Sequence, residues 1–321
     1  MSFDFEAAVN APFRMQPGLQ RMPAGSPHLS PLQPGSRCQR EKLAVLSAFA
    51  GDALLTDGHC TPDGPARRLA AHAAKEHPDH LQWDGRHATA PMLACSLDAD
   101  TGSLSNLAPG AFGLGDEITR CLAGLAPVWR LAGLLSLAFA EDFALLDGPE
   151  GVLPWLAVCL PSHWAPRDKV GRPFTEVHAP VADNALLLRA AQALVATVTG
   201  PQRWQRTVWT LTPHPRLHAH PDRVPPEAWA LGHPAPRFDP GTAWFRTEHQ
   251  TFIPLPDRGQ ALFTIRVEVE PLAQALAAPS RAQRLAQALD SMSEPVLAYR
   301  GLAPVHGPLL RWLRERAAAA A

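Results

Sequence analysis

Apolar residues recur near a 3.6-residue period from residue 116 onward. Ile118, Leu122, Leu125, Val128, Leu131, Leu134, Leu135 and Ala138 fall on one side of a helical wheel. The stretch 116–147 is the strongest helical pattern in the chain. Asp116 and Glu117 sit at the end that the helix dipole favours, and Pro127 inside it predicts a kink or two abutting helices. Shorter helical patterns run over Arg40–Ala50 and Pro65–Glu76, and again over Ala273–Leu289 and Leu309–Arg316. After Gly151 the pattern changes. Val152–Leu160 is a continuous apolar run that reads as a buried strand, and Arg206–Thr212, Trp244–Ile253 and Ala261–Val269 read as three more. The last two are joined by Pro254–Gln260, which has the Pro, Asp and Gly of a hairpin connection.

The strand connections are too varied for βαβ units, so the expected class is α+β, a mainly antiparallel sheet flanked by helices. Residues 1–40 carry Pro12, Pro17, Pro23, Pro27, Pro31 and Pro34 and read as an arm over the surface, in part without fixed structure. Residues 41–150 read as a helical region packing on a core, and 151–321 as that antiparallel core with C-terminal helices. Residues 41–321 read equally as one continuous domain. The terminal alanine run reads as a frayed tail.

Composition narrows the function classes. Of 321 residues 46% are hydrophobic and 18% charged, which fits a globular protein. A net charge of −1 leaves no global field to recruit nucleic acid or anionic lipid. Of the 29 cationic residues only Lys42, Lys75 and Lys169 are lysines, a bias that makes abundant arginine weak as a functional signal. Tyr299 is the single tyrosine. Cys38, Cys60, Cys95, Cys121 and Cys159 are scattered with no C-x-x-C, against a cysteine zinc site or an iron–sulfur cluster. Together with the lack of an apolar leader and of a run long enough to span a bilayer, they predict a soluble cytoplasmic protein. There is no P-loop or dinucleotide fingerprint.

Two segments concentrate chemistry. The first follows the Val152–Leu160 strand and holds Ser162, His163, Trp164, Asp168, Lys169, Arg172, Glu176 and His178. Pro180 biases Ala179 to an extended conformation, which predicts a fixed imidazole at His178, suited to a metal or to haem iron; a satisfied core histidine is the plain alternative. The second is the Trp244–Ile253 strand. Alternation puts Trp244, Arg246, Glu248, Gln250 and Phe252 on one face, and Arg246, Glu248 and Gln250 with Arg266 of the partner strand are expected to line a polar pocket. The alternative is a solvated face with cross-strand ion pairs. His214, His218 and His220 lie in a proline-broken stretch that reads as a surface loop rather than a metal site. Cys159, inside an apolar strand, reads as an inert thiol. Ser162 beside His163 lacks the G-x-S-x-G elbow of a hydrolase.

At these residues the sequence resembles a family. The runs Cys159-Leu-Pro-Ser-x-Trp164, Asp168-Lys-x-Gly171 and Val177-His-Ala-Pro-Val181 are followed by Arg246-x-Glu-x-Gln-Thr-Phe-x-x-Leu-Pro256 and Leu262-Phe-Thr-Ile-Arg266. With Pro12-Phe-Arg-Met15 and Glu141-Asp-Phe-Ala-Leu-Leu146, they are similar in order to the DUF3445 family, the haem-dependent oxidative N-demethylases, which includes the haem subunit of bacterial dimethylamine monooxygenase. The resemblance implies a PAS-like antiparallel sheet holding haem b. It implies oxidation of the N-methyl group of a small secondary amine by O2, with formaldehyde released and electrons drawn from an external flavin- and iron–sulfur-containing reductase or ferredoxin. Carried over, His178 is the iron ligand. Arg246 and Glu248 are the catalytic pair, and Arg246, Arg266, Lys169 and Gln250 help to hold the cofactor. A carboxylate such as Glu248 suits proton relay or a cationic amine, and Arg246 suits developing charge on oxygen or a propionate. One departure is His249, where Arg is more often expected. The rival expectation is a non-catalytic PAS-like haem protein, a sensor or carrier; no output module is attached to the chain.

Overall fold

The computed structural model describes residues 5–107, 115–225, 229 and 238–318. Eleven strands occur among them: β1 (Gln20–Arg21), β2 (Leu54–Thr56), β3 (Gln82–Trp83), β4 (His87–Ala90), β5 (Cys95–Asp98), β6 (Leu104–Asn106), β7 (Glu141–Asp147), β8 (Val152–Ala157), β9 (Trp204–Thr212), β10 (Trp244–Leu255) and β11 (Gln260–Pro271). Seven of them form one sheet in the order β1-β9-β10-β11-β7-β8-β2, and every pairing in it is antiparallel. The expected α+β class with a mainly antiparallel sheet is therefore present. The expected hairpin is β10–β11, twelve residues a side, closed through a short 3₁₀ turn at Pro256–Arg258.

The stretch 116–147 is not helical throughout. It breaks into a helix at Glu117–Ala123, a 3₁₀ turn at Pro127–Trp129 and a helix at Arg130–Ala138, with the junction at Pro127 as expected. The chain then turns extended at Phe139 and enters β7, a strand between β11 and β8. Its residues Glu141–Leu146 are all buried, so no alternation marks the strand, and a short apolar run after a helix reads as more helix. The region 41–150 also carries a second sheet, β3-β4-β5-β6, whose strands are two to four residues long and too short to stand out by period. The arm at residues 1–40 is anchored: Phe5 and Val9 are fully buried against the C-terminal helices. The terminal residues 319–321 of the alanine run lie outside the described residues.

The two faces of the large sheet have different neighbours. On one face Phe143, Leu145, Trp155 and Leu262 join Leu134 and Leu135 of the helix Arg130–Ala138 and Leu69 of the helix Asp63–Glu76. Phe245 and Trp209 of this face join the C-terminal helices through Leu285 and Leu309. Even the polar pair on it is self-sufficient, with the Thr251 and Thr264 hydroxyls bonded at 2.7 Å. On the opposite face the register aligns Ala144, Phe263, Phe252 and Trp204 in one row, and Gln250 with Ile265 and Arg206 in the next. That face borders open space. Among the described residues, no helix is long and apolar enough to cross a membrane.

Candidate functional site

A cavity of about 400 Å³ lies on this second face. Its floor is the sheet: Ala144, Leu156, Val208, Phe252, Phe263 and Ile265 among the apolar residues, with Arg206, Arg246, Glu248 and Gln250 as the polar ones. Its opposite wall comes from the chain between β8 and β9, which contributes Trp164, Phe174, Val177, His178, Leu187 and Val195. Met15 and Leu19 of the arm complete the lining. Gly151, in the β7–β8 turn, lets this wall close on the sheet. Its φ is +63°, and a Cβ there would meet Val195 Cγ2 at 2.7 Å.

His178 closes a short helix, Phe174–His178. Ala179 after it is helical rather than extended (φ −57°, ψ −38°), so Pro180 does not fix the ring. The ring is fixed within the helical turn. Nδ1 lies 2.8 Å from the Phe174 carbonyl, four residues back, and the imidazole stacks on the Phe174 ring at 4.0 Å between centroids. A bond to a carbonyl requires the proton on Nδ1, which leaves the Nε2 lone pair unshared. Burial, with the nearby charges of Arg206 and Lys169, lowers the pKa to about 4, so the ring is neutral at pH 7. Lys169 is present at the site but occupied: its ammonium donates to the Val177 carbonyl at 2.8 Å and steadies the same segment.

The β10 residues sort by what they have left to give. Arg246 is almost wholly buried, and every nitrogen of its guanidinium has a protein partner. Nε donates to Ser162 Oγ at 2.7 Å, Nη1 to the Arg216 carbonyl at 3.0 Å, and Nη2 to the carbonyls of Leu160, Pro161 and Leu217 at 2.8–3.2 Å. It braces two loops onto the sheet, with each of its three guanidinium nitrogens bonded to a protein oxygen. The first of these loops is tied down a second time, by the Leu160 N–H donating to Asp142 Oδ2 at 2.6 Å. Asp142 is itself paired with buried Lys42 at 3.1 Å. Glu248 by contrast is only partly buried, and its Oε2 accepts one bond, from Gln250 Nε2 at 2.6 Å. Arg266 does not join them. It pairs across the ladder with His249, on the face away from the cavity, where it donates to Ser30 Oγ at 3.0 Å. The expected four-residue cluster fails by one residue of register, which swaps the face of a strand side chain. His249 lies on that far face too, bonded to Gln205, so the departure noted in the motif is away from the cavity.

The family model for haem-dependent oxidative N-demethylase, alpha subunit-like, matches residues 128–310, more than half of the chain and the span that holds both cavity walls. The chain belongs to this family.

The N-demethylase family is haem-dependent, and the cavity has the features such a group requires. The walls are mainly apolar, two neutral imidazoles that line it, His178 and His163, each have an uncommitted nitrogen, and a cation is left unpaired. That cation is Arg206, on β9 directly across from Gln250. Its Nε is buried without a hydrogen-bond partner among the described residues. Sequence reading passed over it because one arginine in an arginine-rich chain carries no signal; its face on β9 would have drawn notice only with the β9–β10 register known. Tyr299 and Arg300 also line the cavity, the latter donating to the Trp209 carbonyl at 2.9 Å and lying over the Phe13 and Trp209 rings.

The other candidates fall away from this cavity or are occupied. Cys159 is buried in the helix-side core and its thiol pKa is pushed well above the ordinary value by burial, which keeps it an inert thiol. The His214–His220 stretch is not a surface loop. His220 is fully buried, His218 Nδ1 lies 2.7 Å from the Cys159 carbonyl, and His214 sits 5.4 Å from the His163 ring, centroid to centroid. Proline content hid this packing. Elsewhere, His28, His72 and Glu76 bring three possible metal-ligating atoms within 4.8 Å. The Glu76 carboxylate there already accepts the backbone N–H groups of His28 and Leu29 at 2.9–3.0 Å, and Arg203 Nε lies 3.2 Å from His28 Nε2. These bonds make it a knot fastening the arm to the helix Asp63–Glu76.

Proposed function

We propose that this protein oxidatively demethylates a small secondary amine, with haem b held on the cavity face of a PAS-like antiparallel sheet. The observation that carries the reading is the state of His178: Nδ1–H committed to a carbonyl, Nε2 free, the ring neutral and the walls around it apolar. This is the arrangement by which a protein presents an imidazole to iron. When bound, the haem supplies the dioxygen activation and one-electron chemistry that no side chain provides.

The chain's own residues then have distinct tasks. His178 Nε2 is the ligand. The apolar walls exclude water and strengthen every charge interaction inside. Glu248, with three of its four lone-pair directions open, attracts a cationic amine and moves a proton at Oε2, while Gln250 fixes its orientation. The overall balance is (CH3)2NH + O2 + 2e⁻ + 2H⁺ → CH3NH2 + HCHO + H2O for the simplest such amine: the methyl carbon is hydroxylated, and the carbinolamine loses formaldehyde. The two electrons enter from an external flavin and iron–sulfur reductase. The protein works in the cytoplasm.

The test is spectroscopic. Purified protein titrated with haemin is expected to develop the absorption of a histidine-ligated b-type haem, and His178→Ala to lose it. A wild type without a Soret band refutes the reading, as does an unchanged spectrum in His178→Ala. With haem bound, formaldehyde release requires the reductase, and NAD(P)H alone supports none. Haem binding without turnover when reductase, O2 and amine are all supplied identifies a sensor or carrier instead.

A further inference from the structure

We propose that Arg206 is the receptor for a ligand carboxylate in the cavity, a role for which its neighbour Arg246 has the right chemistry but is already tied to protein oxygens through all three guanidinium nitrogens. The proposal rests on the haem reading only for one of its two possible carboxylate sources. Two arginines line the same cavity from adjacent strands. Arg246 makes five hydrogen bonds to protein oxygens. Arg206 has none among the described residues, and its Nε is shielded even from solvent. The charge of Glu248 acts on it, yet the two are not within ion-pair distance and Glu248 Oε2 accepts from Gln250. A half-buried guanidinium that lines a mainly apolar cavity without an anion is costly, and burial accordingly lowers its pKa.

A planar guanidinium with an unused fork of donors matches a carboxylate in shape as well as charge. Two carboxylates fit this place: a propionate of the porphyrin, or the acid group of an N-methylated amino acid acting as substrate. The other two cations of the lining are already anchored to protein oxygens, Lys169 to the Val177 carbonyl and Arg300 to the Trp209 carbonyl beside two aromatic rings.

The experiment compares wild type with Arg206→Met and Arg206→Lys. Ferric haem and its dimethyl ester, which lacks both acid groups, are titrated by their absorption. N-methylglycine and dimethylamine are titrated by calorimetry into protein with and without haem. Wild type is expected to prefer haem over the ester by about 10- to 100-fold, the size of one charge-assisted pair. Arg206→Met should erase that preference while leaving ester affinity unchanged, and Arg206→Lys should restore part of it. If the haem preference survives in Arg206→Met but N-methylglycine binding is lost, the carboxylate is the substrate's and the proposal stands. If neither changes, the proposal is overturned. A wild type that binds neither haem nor ester refutes the haem reading instead, and Arg206 is then judged on N-methylglycine alone. Melting of the apoprotein supplies a check on folding: Arg206→Met should melt no lower than wild type, and a fall of more than a few degrees would reveal a structural partner and overturn the assignment.

Discussion

The two faces of the seven-stranded sheet are built from similar residues in opposite states. On the helix-covered face most polar side chains have a protein partner, Thr251 with Thr264, Arg266 with Ser30 and His249 with Gln205, although Arg266 Nε and Trp155 Nε1 are buried without one. On the cavity face, among the described residues, Glu248 has one partner and Arg206 none, and His178 opposite them has an open nitrogen. A buried polar group left unpaired costs about 1–3 kcal/mol, and on the cavity face these three groups converge on one open space. Arg246 is the instructive exception. It stands on the open face yet is as fully paired as anything on the closed one, so it belongs to the scaffold.

That contrast is sharpest at Glu248. Replacing it with Gln keeps the shape but removes the charge and the titratable proton, and is expected to lower amine-dependent formaldehyde release by about 10²–10⁴-fold at full haem content. An unchanged rate would return Glu248 to the scaffold. Arg246→Met should do the opposite, leaving Ser162 Oγ and the carbonyls of Leu160, Pro161, Arg216 and Leu217 without their donor. The expected loss is about 3–5 kcal/mol in denaturant unfolding of the apoprotein. A stable, haem-free Arg246→Met variant would show that its bonds are incidental and its role is toward the ligand.

Acid should act on both faces. His163, His178 and His214 at the cavity side and His249 on the far face all have pKa values lowered to about 4, in each case chiefly by burial. Between about 4 and the unfolded value near 6.5 the unfolded chain binds more protons than the folded one, so stability rises with pH across that window. Melting of the apoprotein should therefore be flat above pH 7 and fall progressively from pH 6.5 toward 4. Haem should leave in the same window as His178 protonates, and His178→Ala should melt with a shallower acid slope. The smallest effect belongs to the solvent-facing pair Arg172–Glu176, at 2.9 Å beside the His178 helix. Arg172→Gln should cost about 0–1 kcal/mol and leave haem affinity alone.

Period-2 alternation was enough to place Arg246, Glu248, Gln250 and Phe252 together on β10, and the hairpin with β11 was legible from its turn residues. What alternation does not carry is which strand lies on the other side. The β9–β10 register puts Arg206 beside Gln250, and it depends on the long connection between the two strands rather than on a local pattern. Arg266 shows the same gap from within the hairpin: it lies opposite His249, and a turn one residue different in length would have put it with Glu248. His178 was legible as a residue, but its orientation comes from a helical turn around Phe174 that Pro180 seemed to argue against. Glu141–Asp147 was hidden because a strand buried on both faces has lost its period.

The Arg246 brace also bears on the order in which the chain assembles. The β10–β11 hairpin joins neighbours in sequence and can form early, but the oxygens that Arg246 holds lie about 30 and 85 residues upstream, so their capture must wait for two long loops to close. Substitutions at Arg246 are therefore expected to speed unfolding and leave the folding rate nearly unchanged, the mark of contacts made after the transition state. Competence to bind a ligand would then arrive last, which keeps a half-folded chain from trapping a reactive cofactor on an unfinished surface.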